Sequence, residues 1–202
     1  MAMSATLDLW DYRRRVHDMY RMVRERGPGP GSWSEWVVDR DELFATHPQS
    51  PIEDRSRFSG LPYFPYDPGW RTSGRFTPSE DEIAIVGHSG EGATRFVKIG
   101  VVEFEVVGNR GRLEVLWLDS YGGGLFLPFR DDSNGASTYG GGRYLLDTVK
   151  GADLGHSGEE ITLDFNYAYH PSCVHWSRWS CPLAPHANRL AFAVEAGERL
   201  AT

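Results

Sequence analysis

The sequence predicts a mainly β protein, an antiparallel barrel or closed sandwich of about eight strands preceded by two short α-helices. Three observations carry this reading. Apolar and polar residues alternate over short stretches, as in Val102, Phe104 and Val106 against Glu103 and Glu105. Tight-turn residues separate the stretches, drawn from 23 glycines in 202 residues. Helical periodicity is confined to the first 47 positions, and no strand–helix–strand rhythm follows, which argues against a Rossmann-type sheet.

Taken in chain order, Thr6 is placed to cap a helix over residues 7–26, whose apolar stripe is Leu9, Tyr12, Val16, Met19 and Val23. Gly27-Pro28-Gly29-Pro30-Gly31 breaks it. Ser32-Trp33-Ser34-Glu35 then reads as a capping box that opens a second helix, which carries Trp33, Trp36, Val37, Leu43 and Phe44 and ends near His47-Pro48. Two short amphipathic helices cannot bury their own stripes, so residues 1–47 are expected to pack on the core. Residues 48–202 form the barrel-like part. Its first stretch, 48–78, is rich in proline and aromatics and should be an extended strap, because proline cannot join a central ladder. Strands are expected at 83–86 and 94–99 around a hairpin loop at 88–92, then from Gly100 to a turn at Asn109-Arg110-Gly111. Further strands are expected at 113–117, 125–130, 143–147, 160–165 and 190–194.

Composition excludes several classes. A formal net charge of -7 argues against a protein that neutralises phosphates, so no nucleic-acid partner is expected despite Arg13-Arg14-Arg15. No segment approaches the ~20 apolar residues of a membrane span, and no signal peptide is visible, so the expectation is a cytoplasmic protein without a membrane partner. The two cysteines, Cys173 and Cys181, are then expected to be reduced. No flavin or nicotinamide fingerprint appears, and no cofactor is expected.

The chemistry-bearing residues lie between Tyr121 and Asn188. Two echoing segments, Ser120-Tyr121-Gly122-Gly123-Gly124 and Thr138-Tyr139-Gly140-Gly141-Gly142, run into strands rather than helices, so their glycines read as tight backbone geometry rather than a phosphate loop. In Arg130-Asp131-Asp132-Ser133-Asn134-Gly135 the Asn-Gly turn signal outweighs a faint calcium-loop likeness. Thr162, Asp164 and Asn166 share one strand face. They could line a polar cavity with Arg143, or Arg143 could make a structural pair with a carboxylate. The densest stretch, 169–186, holds both thiols with His170, His175 and His186. Three readings stay open there: packed thiols or a disulfide, a metal site built from Cys173, His175, Cys181 and His186, and a nucleophilic Cys173.

The chain resembles a family of bacterial and archaeal domains of unknown function. The likeness is carried by Gly60-Leu61-Pro62-Tyr63-Phe64-Pro65-Tyr66-Asp67-Pro68, Leu125-Phe126-Leu127-Pro128-Phe129-Arg130-Asp131, Thr138-Tyr139-Gly140-Gly141-Gly142-Arg143-Tyr144-Leu145 and Asp164-Phe165-Asn166-Tyr167-Ala168-Tyr169, with Cys173 and Cys181-Pro182-Leu183 behind them. The resemblance implies no activity, cofactor or catalytic residue. Where the family is expected to carry asparagine and tyrosine this chain has His170 and His175, which argues against a shared role for them.

The resulting expectation is a small-molecule site, suited to an anion, in or at the mouth of a barrel closed by the helices and the strap. Arg143 would anchor the ligand, Asp164 and Asn166 would orient it, and Tyr139, Tyr144 and Tyr169 would wall it. If the ligand is turned over, Cys173 and Asp164 are the catalytic candidates. The alternatives are a non-catalytic interaction module, with Trp176, Trp179 and the strap as its patch, and a zinc protein built on Cys173 and Cys181.

Overall fold

A computed structural model describes residues 2–201. Helix α1 spans Ala2–Arg26 and α2 spans Pro30–Thr46, followed by an irregular strap with 3-10 turns at Arg55–Arg57 and Pro68–Trp70. Seven strands follow: β1 Arg71–Gly87, β2 Ala93–Val106, β3 Asn109–Leu118, β4 Leu125–Phe129, β5 Arg143–Asp147, β6 His156–Ser157 and β7 Glu160–Asp164. They form one antiparallel sheet in the order β5-β4-β3-β2-β1-β7-β6, curled into a half-barrel. The fold is mainly β with two leading helices, as the alternation and the helical stripes predict. Among the described residues no helix is long and apolar enough to cross a membrane.

The helix starts differ from expectation. Thr6 lies inside α1 rather than capping it. Pro30 sits in the first turn of α2 and Gly29 is its N-cap, so the helix begins before Ser32. Proline's fixed φ suits that first turn and moves the start upstream. Ser32 Oγ donates back to the Gly27 and Gly29 carbonyls, and the capping box does not form.

The strap ends at Trp70 instead of Pro78, because β1 already pairs with β7 from Arg71 to Arg75. Pro78 is tolerated inside β1 for a local reason. It lies beyond the β7-paired stretch and at a register shift against β2, where its missing N–H interrupts no ladder. The expected stretches 94–99 and 100–106 are one strand, β2, with an irregularity at Lys98/Gly100 against β3. A Cβ at Gly100 would stand 2.4 Å from the Thr77 carbonyl oxygen. The expected strand at 190–194 is absent. Asn188 bonds the Glu114 N–H and carbonyl and the Pro128 carbonyl, while Arg143 takes the Val194, Ala196 and Glu198 carbonyls. Together with backbone bonds from the Leu190 N–H to the Arg130 carbonyl and from the Asp132 N–H to the Phe192 carbonyl, these side chains hold the segment without a regular ladder.

The core lies between the concave sheet face and the helices. Val102, Phe104, Val106, Leu113 and Val115 meet Val16, Met19, Tyr20, Val23 and Trp36. Trp36 is fully buried and makes edge contacts with the rings of Tyr20, Tyr63 and Tyr167 at 5.8, 5.9 and 5.1 Å. The second stripe and most of the first, from Tyr12 to Val23, therefore face one surface, which neither helix could cover alone, whereas Leu9 is exposed.

The β2–β3 turn sits earlier than expected, at Val107-Gly108, with Val106 paired to Asn109. Val107 has φ 48° and Gly108 φ 73°, and Val107 is the one non-glycine residue with positive φ among those described. A β-branched side chain is strained there, whereas asparagine tolerates it. Val107→Asn is expected to stabilise the protein by about 1 kcal/mol, read as a raised urea midpoint with an unchanged slope. An unchanged or lowered midpoint would show that Val107 carries no such strain.

Candidate functional site

Arg143 is fully buried in β5 and points into the core. Its guanidinium donates to Asp131 Oδ2 at 2.9 Å and to the carbonyls of Val194, Ala196 and Glu198 at 2.8, 2.5 and 3.2 Å. The carboxylate partner is Asp131, whose Oδ1 also accepts the Ser133 and Val194 amides. Arg143 therefore clamps the C-terminal segment, and its placement corrects the expectation that it lines a cavity with Asp164.

Asn166 is also built into the scaffold. Its side chain bonds the Asp67 N–H and carbonyl at 3.1 and 2.9 Å, and its backbone oxygen accepts Trp33 Nε1 at 3.0 Å. It fastens strap and α2 to the end of β7. Asp164 differs. Oδ1 accepts the Asn166 amide and side chain, but no donor among the described residues reaches the buried Oδ2. Burial pushes the Asp164 carboxyl up, against the opposing pull of Asn166 and Arg71.

Asp164 opens onto a groove that the sequence reading did not place. The β1–β7 register sets Arg71 opposite Asp164. On one side lies a depression of about 720 Å³, bounded by Pro28, Gly29, Pro30, Tyr66, Pro68 and Arg71. Past Pro28 and Arg71 it continues into a hollow of about 330 Å³ that includes Arg24, His156, Thr162 and Asp164. The Arg71 side chain has no hydrogen-bond or ion-pair partner among the described residues, while Arg24 is held on Asp153. The N-terminus of α2 borders the groove. Its Gly29 cap supplies no side-chain acceptor, and the orphan amides of a first turn favour negative charge.

The thiols occupy another corner. Cys173 is half-buried on the 3-10 turn Ser172–Val174, Cys181 is buried, and both are free. The β1–β2 loop holds Cys181, whose N–H donates to Ser89 Oγ at 3.1 Å and whose carbonyl accepts the Ser89 N–H at 2.9 Å. Cys181, Ser89 and Tyr139 act to lower the Cys173 thiol to about 6, against burial. Cys173, with burial, pushes the Cys181 thiol up. Tyr144 and Tyr169 stack edge-on at 5.7 Å beside a small cavity of about 70 Å³ that Cys181 also lines.

The six expected ligand residues are therefore not brought together: Arg143 is in the core, Asp164 lines the groove end, Asn166 is spent on the strap, and Tyr144 and Tyr169 lie beside the cavity that Cys181 lines. The metal set is not assembled either. His175 Nε2 lies 3.1 Å from Glu198 Oε1, turned to a carboxylate rather than to a thiol. Among the described residues no group of three or more His, Cys, Asp or Glu is placed to hold a metal ion. The Trp176 and Trp179 rings are both covered by the Arg178 guanidinium, at 3.6 and 4.5 Å, and do not form a bare apolar patch. Sequence reasoning missed Arg71 and Ser89. Only the strand register and the loop packing single them out, although the Asp67-Pro68-Gly69 turn that launches β1 was legible.

A further buried cluster centres on Glu198. Arg40 Nη2 donates to Glu198 Oε2 at 2.9 Å, and the His170 N–H donates to the same oxygen at 3.1 Å. His170 Nε2 accepts the Tyr139 N–H at 3.1 Å, and its Nδ1 lies 3.4 Å from Glu198 Oε1. Arg40 lies over the rings of Phe44, Tyr169 and Trp36 at 4.4, 5.0 and 5.5 Å. This buried network ties α2 to the C-terminal segment, although Arg40 Nε and Glu198 Oε1 have no hydrogen-bond partner among the described residues.

The geometry defines a helix-covered antiparallel half-barrel with an open cation-bearing groove and a separate thiol pair. The chain belongs to the family described as protein of unknown function (DUF1684), whose profile matches residues 56–199. A solution NMR structure of an uncharacterized protein from Haloarcula marismortui is 37% identical, covering 84% of this chain and 93% of that one with a TM-score of 0.60. No curated protein matches the sequence. The family match includes Arg71, Asp164, Cys173, Cys181 and Glu198 and leaves out both helices.

Burial acts to raise the Glu198 carboxyl, but Arg40, His175 and His170 outweigh it and hold it well below the usual 4.5. A depressed carboxyl contributes stability that is present above its unfolded value and lost as pH falls through the folded one. Glu198→Gln is expected to cost about 3–5 kcal/mol at pH 7 and to flatten the loss of stability in acid, checked by urea unfolding between neutral and acid pH. A variant as acid-sensitive as the wild type would remove Glu198 from this role.

Proposed function

We propose that this chain binds a small anion that also carries a hydrogen-bond donor, such as a hydroxy- or amino-carboxylate, in the groove between the α1–α2 linker, the strap and the β1–β7 edge. Arg71 and the first-turn amides of α2 meet the anionic group, and Asp164 Oδ2 accepts from the donor. Tyr66 and Pro68 form the apolar wall. The observation that carries this reading is the juxtaposition of an unpaired guanidinium and a buried carboxylate oxygen without a donor, on facing residues of β1 and β7. A carboxylate oxygen without a donor at the end of a groove is suited to a donor brought by a ligand. The family supplies no substrate to weigh against it.

The interaction-module reading draws less support, because Arg178 covers the tryptophans that would form its patch. A zinc protein is disfavoured by the turn of His175 to Glu198.

The test is a thermal-shift screen with hydroxy-, amino- and unsubstituted carboxylates and inorganic phosphate. At least one hydroxy- or amino-carboxylate is expected to raise the wild-type Tm, because a bound ligand stabilises only the folded state. Arg71→Ala, at an exposed site, should leave the unliganded Tm nearly unchanged and abolish the shift. Asp164→Asn should remove the advantage of a donor-bearing carboxylate over an unsubstituted one. A screen without shifts, or a shift that survives Arg71→Ala, overturns the assignment.

A further inference from the structure

The cavity beside the thiol corner carries a separate inference. It measures about 70 Å³, and its wall includes Tyr20 of α1, Arg40 and Phe44 of α2, Tyr144 of β5 and Tyr169 of the segment after β7. It shares no lining residue with the groove at Arg71 and Asp164. A water takes about 30 Å³ in the liquid, so the space suits about two waters or one small molecule of a few bonded heavy atoms. The two helices, which the family profile leaves out, supply much of its polar wall.

Two of the lining residues hold donors that no acceptor among the described residues takes up. Tyr20 is buried with its hydroxyl unpartnered, and burial pushes its phenol up, so the proton it would donate stays in place. Arg40 is buried as well. Its Nη2 is spent on Glu198 at 2.9 Å, while its Nε–H is unpartnered. Ring contacts place both groups at this wall. The Arg40 guanidinium lies 4.4 and 5.0 Å from the Phe44 and Tyr169 rings, which also line the cavity. It lies 5.5 Å from Trp36, against which Tyr20 packs at 5.8 Å. Trp36 Nε1 and the Tyr63 and Tyr167 hydroxyls are unpartnered too, but none of these residues lines the cavity.

The charges at this wall are already matched. Arg40 is paired with Glu198, and Lys150, whose half-exposed side chain brings the lining to the surface, is held on Asp147 at 3.0 Å. A further buried anion would add a charge without a counter-ion, a cost that a neutral molecule avoids. What the wall lacks is an acceptor. A carbonyl oxygen has two lone pairs and can accept from an N–H and an O–H together. We propose that this cavity binds a small neutral carbonyl compound, the size of a short ketone or amide. Tyr20 and Arg40 donate to its oxygen, and Phe44, Tyr144 and Tyr169 enclose its apolar part.

The test uses the full chain, isotope-labelled for NMR and titrated with acetone, acetamide and acetate up to about 100 mM, a range set by the weak affinity open to so few atoms. Acetone or acetamide is expected to shift the Arg40 Nε–Hε resonance and the Tyr20 and Ala152 amides saturably. Acetate should bind there at least about tenfold more weakly. Tyr20→Phe should keep or raise the unliganded Tm, because the hydroxyl it removes has no acceptor, and should weaken the carbonyl probe about fivefold, the worth of one hydrogen bond. The wild-type titration stands whether or not that variant folds. Any of four results overturns the proposal: no saturable shift at these resonances, which leaves water as the only occupant; acetate as tight as the neutral probes; unchanged affinity in Tyr20→Phe; or a Tm that falls in that variant, which would show the hydroxyl already partnered.

Discussion

The structure depends on one buried carboxylate. Glu198 lies beyond the last strand, yet its side chain accepts from Arg40 of α2 and from the backbone of His170, and both imidazoles approach it. Its own N–H donates to Ala168, its carbonyl accepts from Arg143, and Tyr63 of the strap forms a bridge with it. Helix, strap, C-terminal segment and sheet therefore converge on one residue. A desolvated ion pair is a poor source of net stability, since removing both charges from water costs much of what their attraction returns. What it supplies is position. Uncompensated, Glu198 or Arg40 would be very costly to bury, so packings that separate α2 from the C-terminal segment are disfavoured.

Arg143 repeats the principle on a smaller scale. A half-barrel has two free edges, and exposed edges invite unwanted pairing. At the β5 edge, Tyr144 bridges to Tyr169, and the Arg143 guanidinium gathers carbonyls from residues 194, 196 and 198. The C-terminal segment thus covers this side without becoming a strand. At the other edge β6 is only two residues long, which blunts it directly. The two buried arginines explain how a seven-stranded sheet remains open yet is covered on its concave face.

The proposed sites occur where this closure stops. In the groove, β1 and β7 bring Arg71 beside Asp164, but no further side chain completes the pair as Asp131 completes Arg143. In the thiol corner the β1–β2 loop meets the irregular segment after β7 through paired bonds between Ser89 and Cys181. Both places combine residues distant in sequence at the rim of the packed core. Such a combination suits a binding or reactive site.

Much of the architecture was legible in the chain. The stripes of Val16, Met19 and Val23 and of Trp36, Leu43 and Phe44, the alternation of Val102, Phe104 and Val106, and the glycine triplets running into strands all depend on local periodicity, and each is as expected. Glycine and proline marked the linker and the hairpin loop at residues 88–92 for the same reason. The ends of elements were less legible. Pro30 displaced the start of α2, and residues 190–194 looked like a strand until Asn188 and Arg143 were seen to bond the neighbouring backbone. The sequence also marked Arg143, Asp164 and Cys173 as chemically unusual, because charged and sulfur side chains in an apolar context need an explanation wherever they fall. Which carboxylate Arg143 would meet, that Arg71 would face Asp164, and that His175 would turn to Glu198 were decided only by the tertiary structure. Residue type and local period are properties of the chain, whereas a partner is selected by strand register and by the packing of segments far apart in sequence.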